Sequence, residues 1–302
     1  MIIRIVFVVA ITLFAADACS PSALPTIPTA IPNQLAPLAA GYQVLMAQSV
    51  ITLGQNRFAI GLFNGNSPVR NAKLTMTFYD LTGKSGDIEK PIAALPATYR
   101  EAPDGTAGVY TAEVTFTNPG SWGLAVTGTT SDGQPIDQKV GFDVVVASTD
   151  LAVGKKAPAV PSPTLNSAGG DLKKMTSAPA PNPAFYNLSL DQALASGKPT
   201  VVQFSTPAFC TSRLCGPVYQ VMSGVYPGYA DRLNFVHIEV YKDLPNPDLN
   251  HPKYADAMLA WGLTTEPWTY LIDKNGVVVW RVEGLFGADE LKTAIDGLLK
   301  TG

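Results

Sequence analysis

Two proline-rich tracts divide this 302-residue chain, and each stretch between or beyond them must bury a core of its own. The first, Ser20 to Gly41, holds five prolines and no charged residue. A segment with so little apolar surface cannot offset the entropy of ordering itself, so it reads as an extended tether. The second runs from Ser148 to Pro183 and contains Ala157-Pro158-Ala159-Val160-Pro161 and Ala178-Pro179-Ala180-Pro181. The expected organisation is an N-terminal leader (1–18), a tether (19–41), a folded domain (42–147), a linker (148–184) and a second domain (185–302). Hydrophobic residues make up 46% of the chain, enough for two sizeable cores. A net charge of -3 gives no basic footprint, so nucleic acid is not an expected partner.

The leader constrains the compartment. Arg4 precedes an apolar run from Ile5 to Ala16, broken only by Thr12, and Ala16-Asp17-Ala18-Cys19 follows. Crossing a bilayer takes about 20 apolar residues, so this run is too short. A basic residue, a short apolar core and an A-x-A site together read as a secretory signal. Cys19 stands where bacterial lipoproteins keep their lipid-modified cysteine, and the segment resembles a lipobox with Ala16 in place of the preferred leucine and an unusual Asp17. Cleavage after Ala18 without lipidation is the competing reading. The expectation is an exported cell-envelope protein, held on the outer face of the cytoplasmic membrane by a lipid on Cys19.

Residues 42–147 carry a strand signal. Leu74, Met76 and Phe78 alternate with Lys73, Thr75 and Thr77. Tyr110, Ala112, Val114 and Phe116 share a face, as do Trp122, Leu124 and Val126, and then Val140, Phe142, Val144 and Val146. Period-2 alternation buries one face of each strand against a second sheet. Asn64-Gly65, Asp104-Gly105, Asn118-Pro119-Gly120 and Asp132-Gly133 punctuate the runs as turns. The expected fold is an all-β sandwich of immunoglobulin-like type. GVYTAEVTFTNPGSWGLAVTG, from Gly108 to Gly128, resembles the YtkA-like and FixH-like sandwich domains of bacterial envelope proteins. With no histidine and no cysteine, this domain carries no assigned chemistry.

The second domain mixes both periodicities. Ser189-Leu190-Asp191-Gln192 reads as a capping box opening a short helix that ends at Gly197. Thr200 to Phe204 reads as a buried strand, a cysteine-bearing loop and a helix from about Leu214 to Val225 follow, and Leu233 to Tyr241 is a further strand. A helix at Tyr254 to Trp261 leads to a hairpin, Tyr270 to Asp273 and Val277 to Val282, turning at Asn275-Gly276. Leu291, Ile295, Leu298 and Leu299 stripe a final helix.

With Cys19 assigned to lipid, Cys210 and Cys215 are the two remaining thiols. A bridge across so short a loop removes little unfolded-state entropy, so chemistry explains the pair better than stapling. Five positions along an ideal helix advance about 7.5 Å and turn roughly 140°, so the side chains diverge. A disulfide needs Cα atoms within about 4.4–6.8 Å. Cys210 must therefore sit in a turn before the helix, with Cys215 in its first turns. Position near the positive helix end, and near Arg213, favours Cys210 as the nucleophilic thiolate and Cys215 as the resolving thiol.

The order β-α-β-α-β-β-α, with cysteines directly after the first strand, resembles thioredoxin. FSTPAFCTSRLCGPV, from Phe204, resembles the active-site segment of the thioredoxin superfamily, and VGKKAPAVPSPTL, from Val153, the lead-in of membrane-anchored thioredoxin-like reductases. The resemblance implies an α/β thioredoxin fold, a redox-active disulfide with no other cofactor, and a cis-proline at Pro267 that caps the dithiol and helps bind extended substrate. Four residues separate the cysteines here, against two in thioredoxins. Cys215-Gly216-Pro217 also copies the start of a thioredoxin Cys-Gly-Pro-Cys, which would make Cys215 the attacking thiol. Gln203 stands where thioredoxins keep a buried acid, so proton acceptance would pass to Glu266 or Glu239. The expected function is thiol-disulfide exchange with dithiol or disulfide proteins of the envelope. Two alternatives stay open: a copper site formed by Cys210, Cys215 and His251, as in copper chaperones of this fold, and a redox-inactive binding module. His237 reads as a core strand residue.

Overall fold

The alternating runs of the N-terminal half pair into two antiparallel sheets. In the computed structural model the described residues are 41–82, 90–105, 108–210, 212 and 214–301. The leader, Cys19 and the tether up to residue 40 lie outside them, as do Thr211 and Arg213. The first sheet contains β1 (Tyr42–Met46), β2 (Gly54–Asn64) and the short β3 (Ser67–Pro68). The second begins with β4 (Lys73–Asp80) and β5 (Ala93–Pro96); β6 (Thr98–Glu101) and β7 (Gly108–Phe116) return to the first, and β8 (Gly120–Thr129) and β9 (Pro135–Val144) complete the second. The sheet orders are β1-β2-β7-β6, with β3 on β2, and β5-β4-β8-β9.

Side chains that alternate inward from both sheets fill the space between them. Leu74, Met76 and Phe78 on β4, Val114 and Phe116 on β7, and Trp122, Leu124 and Val126 on β8 are all buried. Phe58 and Phe78 meet edge to face at 5.0 Å, and Phe116 and Trp122 at 4.8 Å. The last expected run is shorter than its pattern. β8 begins at Gly120 opposite Val144, so beyond that residue the chain leaves β8; Val145 makes only a single parallel bridge to Thr52, and Val146 is 69% exposed. Gly133 turns the chain between β8 and β9 at φ +86°, a conformation that costs glycine little.

The C-terminal half builds a four-stranded mixed sheet. Its elements are α1 (Leu190–Ala195), β10 (Thr200–Ser205), α2 (Cys215–Val225), β11 (Asn234–Glu239), α3 (Asp256–Ala260), β12 (Trp268–Ile272), β13 (Val278–Glu283) and α4 (Ala288–Thr301). The order is β11-β10-β12-β13, with β10 parallel to β11 and antiparallel to β12. This is a thioredoxin-like sheet. β10 is buried along its whole length because helices cover both faces, which is why its sequence reads as a continuous run. Val201 and Leu271 pack with Val218, Met222, Leu291 and Ile295 of α2 and α4. Val202, Phe204 and Tyr270 face the other way, against Leu190, Met258 and Trp261. At the start of α1, Gln192 Oε1 accepts from the Ser189 N–H at 3.1 Å, closing the expected capping box.

The described residues lie within one compact unit. The stretch expected to act as a linker is packed along the thioredoxin-like part. Gly154 and Ala157 donate to the carbonyls of Val278 and Gly276 at 2.8 and 2.9 Å, and Ala157, Met175 and Ala178 are buried. Its prolines fix φ while its small apolar residues cover the sheet. The sandwich also touches the thioredoxin-like part directly. Arg57 Nε reaches Glu290 at 2.7 Å and its Nη2 donates to the Leu285 carbonyl at 2.9 Å. Arg100 pairs with Asp289, and Ala102 and Val109 join the apolar cluster under α2 and α4. Among the described residues no helix is long and apolar enough to cross a membrane.

Candidate active site

The chain leaves β10 at Ser205, turns through Pro207 and Phe209, and enters α2 at Cys215. Cys210 lies in that turn and Cys215 is the first helical residue. The two are joined by a disulfide with Cα atoms 5.9 Å apart, inside the range a bridge requires. Their surroundings differ. Cys215 is fully buried, whereas Cys210 is only partly buried. The Cys215 N–H donates to Cys210 Sγ at 3.3 Å, and the Ser212 hydroxyl lies 3.2 Å from the same sulfur. After reduction both contacts, together with the positive end of an 11-residue helix, stabilise a thiolate at Cys210. Exposure and polarity thus fall on the same thiol.

Opposite the disulfide stands the loop before β12. The Glu266–Pro267 bond is cis, and Pro267 is buried. The Pro267 carbonyl accepts from the Gly284 N–H at 2.9 Å. Thr265 Oγ1 accepts from Trp268 Nε1 at 3.1 Å and donates to Glu283 Oε1 at 2.8 Å, tying the loop to the end of β13. These contacts bring the Glu266 carboxylate to the cysteines: its oxygen and the two sulfurs all lie within 4.8 Å of one another.

Two carboxyls here are poised to move protons near neutrality. Burial pushes Glu266 up to about 7, with added repulsion from Glu239 and Glu283. Glu239, at the end of β11, is also raised to about 7, by burial that two hydrogen bonds from Ser177 only partly offset. The Ser177 N–H and hydroxyl donate to Glu239 Oε2 at 2.7 and 2.9 Å, while the Ala208 N–H donates to Ser177 Oγ at 3.1 Å. The proline-rich stretch thus bridges a buried acid to the loop that carries Cys210. The serine's role is invisible in sequence, since Ser177 is 62 residues from the carboxyl it binds.

Gln203, the amide that replaces the acid of the thioredoxin pattern, is buried and donates to the Val218 carbonyl and to Thr269 Oγ1 at 3.1 and 3.2 Å. It is a structural bracket between β10, α2 and β12, and being an amide it takes up no proton. His237 is a core residue between the Tyr186 and Ser205 hydroxyls, at 2.9 and 2.8 Å, and burial pushes its pKa down to about 3. The structure brings Cys210, Cys215, Glu266 and Pro267 together and leaves His251 apart. His251 is 88% exposed in a loop, beside Asp248 at 3.2 Å. Among the described residues the metal-capable group at the disulfide is Cys210, Cys215 and Glu266, not the cysteines with His251. A short aromatic ladder runs along the edge of the site, with Phe209 and Tyr241 rings 6.4 Å apart and Tyr241 and Tyr254 rings 5.7 Å apart.

No protein-family model matches the chain, and no curated protein is significantly similar to it. Solved structures resemble each half. A structure described as thiol:disulfide interchange protein DsbE from Chlorobium tepidum is 18% identical over 49% of this chain and 99% of its own, with a TM-score of 0.34. The thioredoxin domain of a thiol-disulfide oxidoreductase from Bacteroides vulgatus is 17% identical over 49% of this chain and 99% of its own, with a TM-score of 0.33. CopC from Methylosinus trichosporium OB3b is 17% identical over 35% of this chain and 97% of its own, with a TM-score of 0.24. The fold itself rests on the strand order and register described above.

Proposed function

We propose that the protein exchanges thiols and disulfides with other proteins of the cell envelope. The observation that carries this reading is the asymmetry of the pair: Cys210 is accessible and hydrogen-bonded at its sulfur, Cys215 is buried behind it, and a carboxyl faces both. In the reduced form the Cys210 thiolate attacks a substrate disulfide. A Cys210–substrate bond forms and the other substrate sulfur leaves as a thiolate. Glu266 takes the Cys215 proton, the Cys215 thiolate attacks Cys210, and the substrate's second sulfur is displaced and reprotonated. The substrate gains two electrons and the pair ends as the disulfide. The reverse sequence oxidises a substrate dithiol, and no further cofactor takes part. Export, a lipid on Cys19 and an immunoglobulin-like class for the sandwich complete the proposal. Titration of the full soluble chain in glutathione and dithiothreitol buffers, read by alkylation and mass, tests it. A reversible two-electron Cys210–Cys215 couple is expected, and no disulfide at any potential would sink the reading.

One observation favours a second reading. Reduced Cys210 and Cys215 with Glu266 form a three-ligand cluster of two thiolates and one carboxylate. Thiolates suit copper(I) and zinc, while the carboxylate weights the set towards zinc. Titrating the reduced protein with each metal separates the readings. Stoichiometric binding lost in Glu266→Gln and kept in His251→Ala would support a metal carrier.

A further inference from the structure

The segment joining β1 to β2 in the sandwich does not stop at the sandwich's own surface. The Ser49 N–H donates to Glu283 Oε2 at 2.9 Å, and the Ser49 hydroxyl donates to Glu283 Oε1 at 2.5 Å. The same hydroxyl lies 3.3 Å from Thr265 Oγ1, which itself donates to Glu283 Oε1. One serine from the sandwich therefore closes a three-membered polar cluster on the loop that carries Glu266 and Pro267.

The backbone next to Ser49 fits the same surface. Gly284, at φ +75°, donates its N–H to the Pro267 carbonyl. A Cβ on Gly284 would lie 2.6 Å from the Ala47 carbonyl oxygen, so the two segments approach as only glycine allows. The Leu214 side chain, one residue before Cys215, lies 3.8 Å from that Cβ position, and Ala47 and Leu214 pack against one apolar cluster. The sandwich thus reaches the proline loop and, at Ala47, comes beside the apolar cluster that also holds the residue preceding the resolving cysteine.

We propose that the β1–β2 segment of the sandwich builds one wall of the redox site, with Ser49 a positioning residue that holds Glu283 and Thr265 and, through them, the Glu266–Pro267 loop against the cysteine pair. The proposal rests on the dithiol reading above and gives the sandwich a part in exchange rather than a spacer's role. Glu266 is faced by Cys210 and Cys215, by Glu239 from β11, by Glu283 from β13 and by Tyr241 and Tyr254. Glu283 is faced in turn by Arg281 and Tyr270. Of these groups Glu283 is the one the sandwich grips, so the grip sets where a negative charge sits relative to the Glu266 carboxyl.

The test uses the full chain and compares wild type, Ser49→Ala, Ser49→Thr and Glu283→Gln. The rate of exchange with oxidised glutathione is followed from pH 5 to 9 beside the melting temperature. Ser49→Ala is expected to slow exchange by up to about 10²-fold, the loss that a misplacement of about 1 Å can cause, with its melting temperature close to wild type. Ser49→Thr, which keeps the hydroxyl, restores the rate. Glu283→Gln moves the pH of half-maximal rate downward, because a repelling charge near Glu266 is gone. A wild-type rate and pH profile in Ser49→Ala would overturn the proposal, as would a loss that tracks melting and is not rescued by threonine. Absence of exchange in the wild type itself would instead remove the dithiol reading beneath it.

Discussion

The Glu266 carboxylate and the Cys210 sulfur lie within 4.8 Å of each other, where the cis-proline loop meets the turn before α2. A carboxyl at that distance repels a thiolate if it is ionised and supplies a proton if it is not. Its pKa near 7, raised chiefly by burial, leaves it divided between the two forms at neutral pH. Gln203, buried on the neighbouring strand, exchanges no proton, so the acid-base work of the site falls on Glu266 with Glu239 behind it.

Replacing that carboxyl should therefore change how the rate depends on pH. Glu266→Gln is expected to lower the exchange rate at pH 7 by about 10²-fold, the lower end of what a positioned acid-base group contributes. The inflection near pH 7 should disappear, and the deficit should shrink above pH 9, where thiols ionise without help. Stopped-flow exchange with dithiothreitol across pH measures this. An inflection unchanged in the variant would assign it to another group.

The two cysteines should behave differently when taken singly. In Cys215→Ser the partly exposed Cys210 can attack a substrate disulfide but nothing resolves the product, so a mixed disulfide should accumulate stoichiometrically with a disulfide-bearing peptide. In Cys210→Ser the remaining thiol is fully buried and should react at least 10-fold more slowly with iodoacetamide. Intact-mass spectra of both variants check the assignment. The opposite pattern would favour Cys215 as the attacking thiol.

Much of this was legible in the chain for definite reasons. The inward residues of β4, β7 and β8 recur at every second position, although the outer face of β7 is also covered at Val109 and Thr111, and the capping box at Ser189 and the stripe through Leu291 and Ile295 depend on neighbours in sequence. The four-residue spacing likewise places Cys210 in a turn, because a helix would have sent the side chains apart. What the sequence did not display depends on distant contacts. Ser177 meets Glu239, and Ser49 meets Glu283 across 234 residues, with no motif marking either serine. His251 was a candidate through the likeness to copper chaperones of this fold, and it stands exposed beside Asp248, outside the group formed by Cys210, Cys215 and Glu266.

Stability should show a compound dependence on pH. Glu239 and Glu266 are raised from an ordinary 4.5 to about 7, so the folded state holds their protons more tightly. Their contribution is complete below 4.5 and is lost as pH rises through 7. At roughly 1.4 kcal/mol per pH unit of displacement, each of them is worth on the order of a few kcal/mol. His237, pushed from 6.5 down to about 3, acts in the opposite sense: its contribution is complete above 6.5 and is lost as pH falls towards 3. The wild-type melting temperature should therefore fall as pH rises from 4.5 through 7, less steeply than two acids alone would give because the histidine opposes them up to 6.5, and level off by about pH 8. Glu239→Gln should flatten the curve between pH 4.5 and 6.5, where the remaining acid and the histidine nearly cancel, and leave the histidine's loss below 4.5. A melting curve in the variant parallel to wild type at every pH would contradict the assignment.

The seam between the sandwich and the thioredoxin-like part gives a separate prediction. Arg57 and Glu290 are nearly enclosed, with side chains 12% and 14% exposed, and the guanidinium also donates to the Leu285 carbonyl. Removing the cation leaves the carboxylate short of partners in a largely desolvated place, although Glu290 keeps the Gly287 N–H at 2.7 Å and Arg100 Nε at 3.6 Å. Arg57→Ala is expected to cost about 1–3 kcal/mol, in the range of hydrogen bonds to charged groups. Because the lost contacts join the two parts, the damage should appear as lost cooperativity. Wild type should unfold in urea as one transition with coincident fluorescence and circular dichroism midpoints. The Arg57→Ala, Arg100→Ala double variant should separate them, leaving each part close to its own stability. Coincident midpoints in the double variant would mean that the apolar contacts of Ala102 and Val109 suffice to couple the halves.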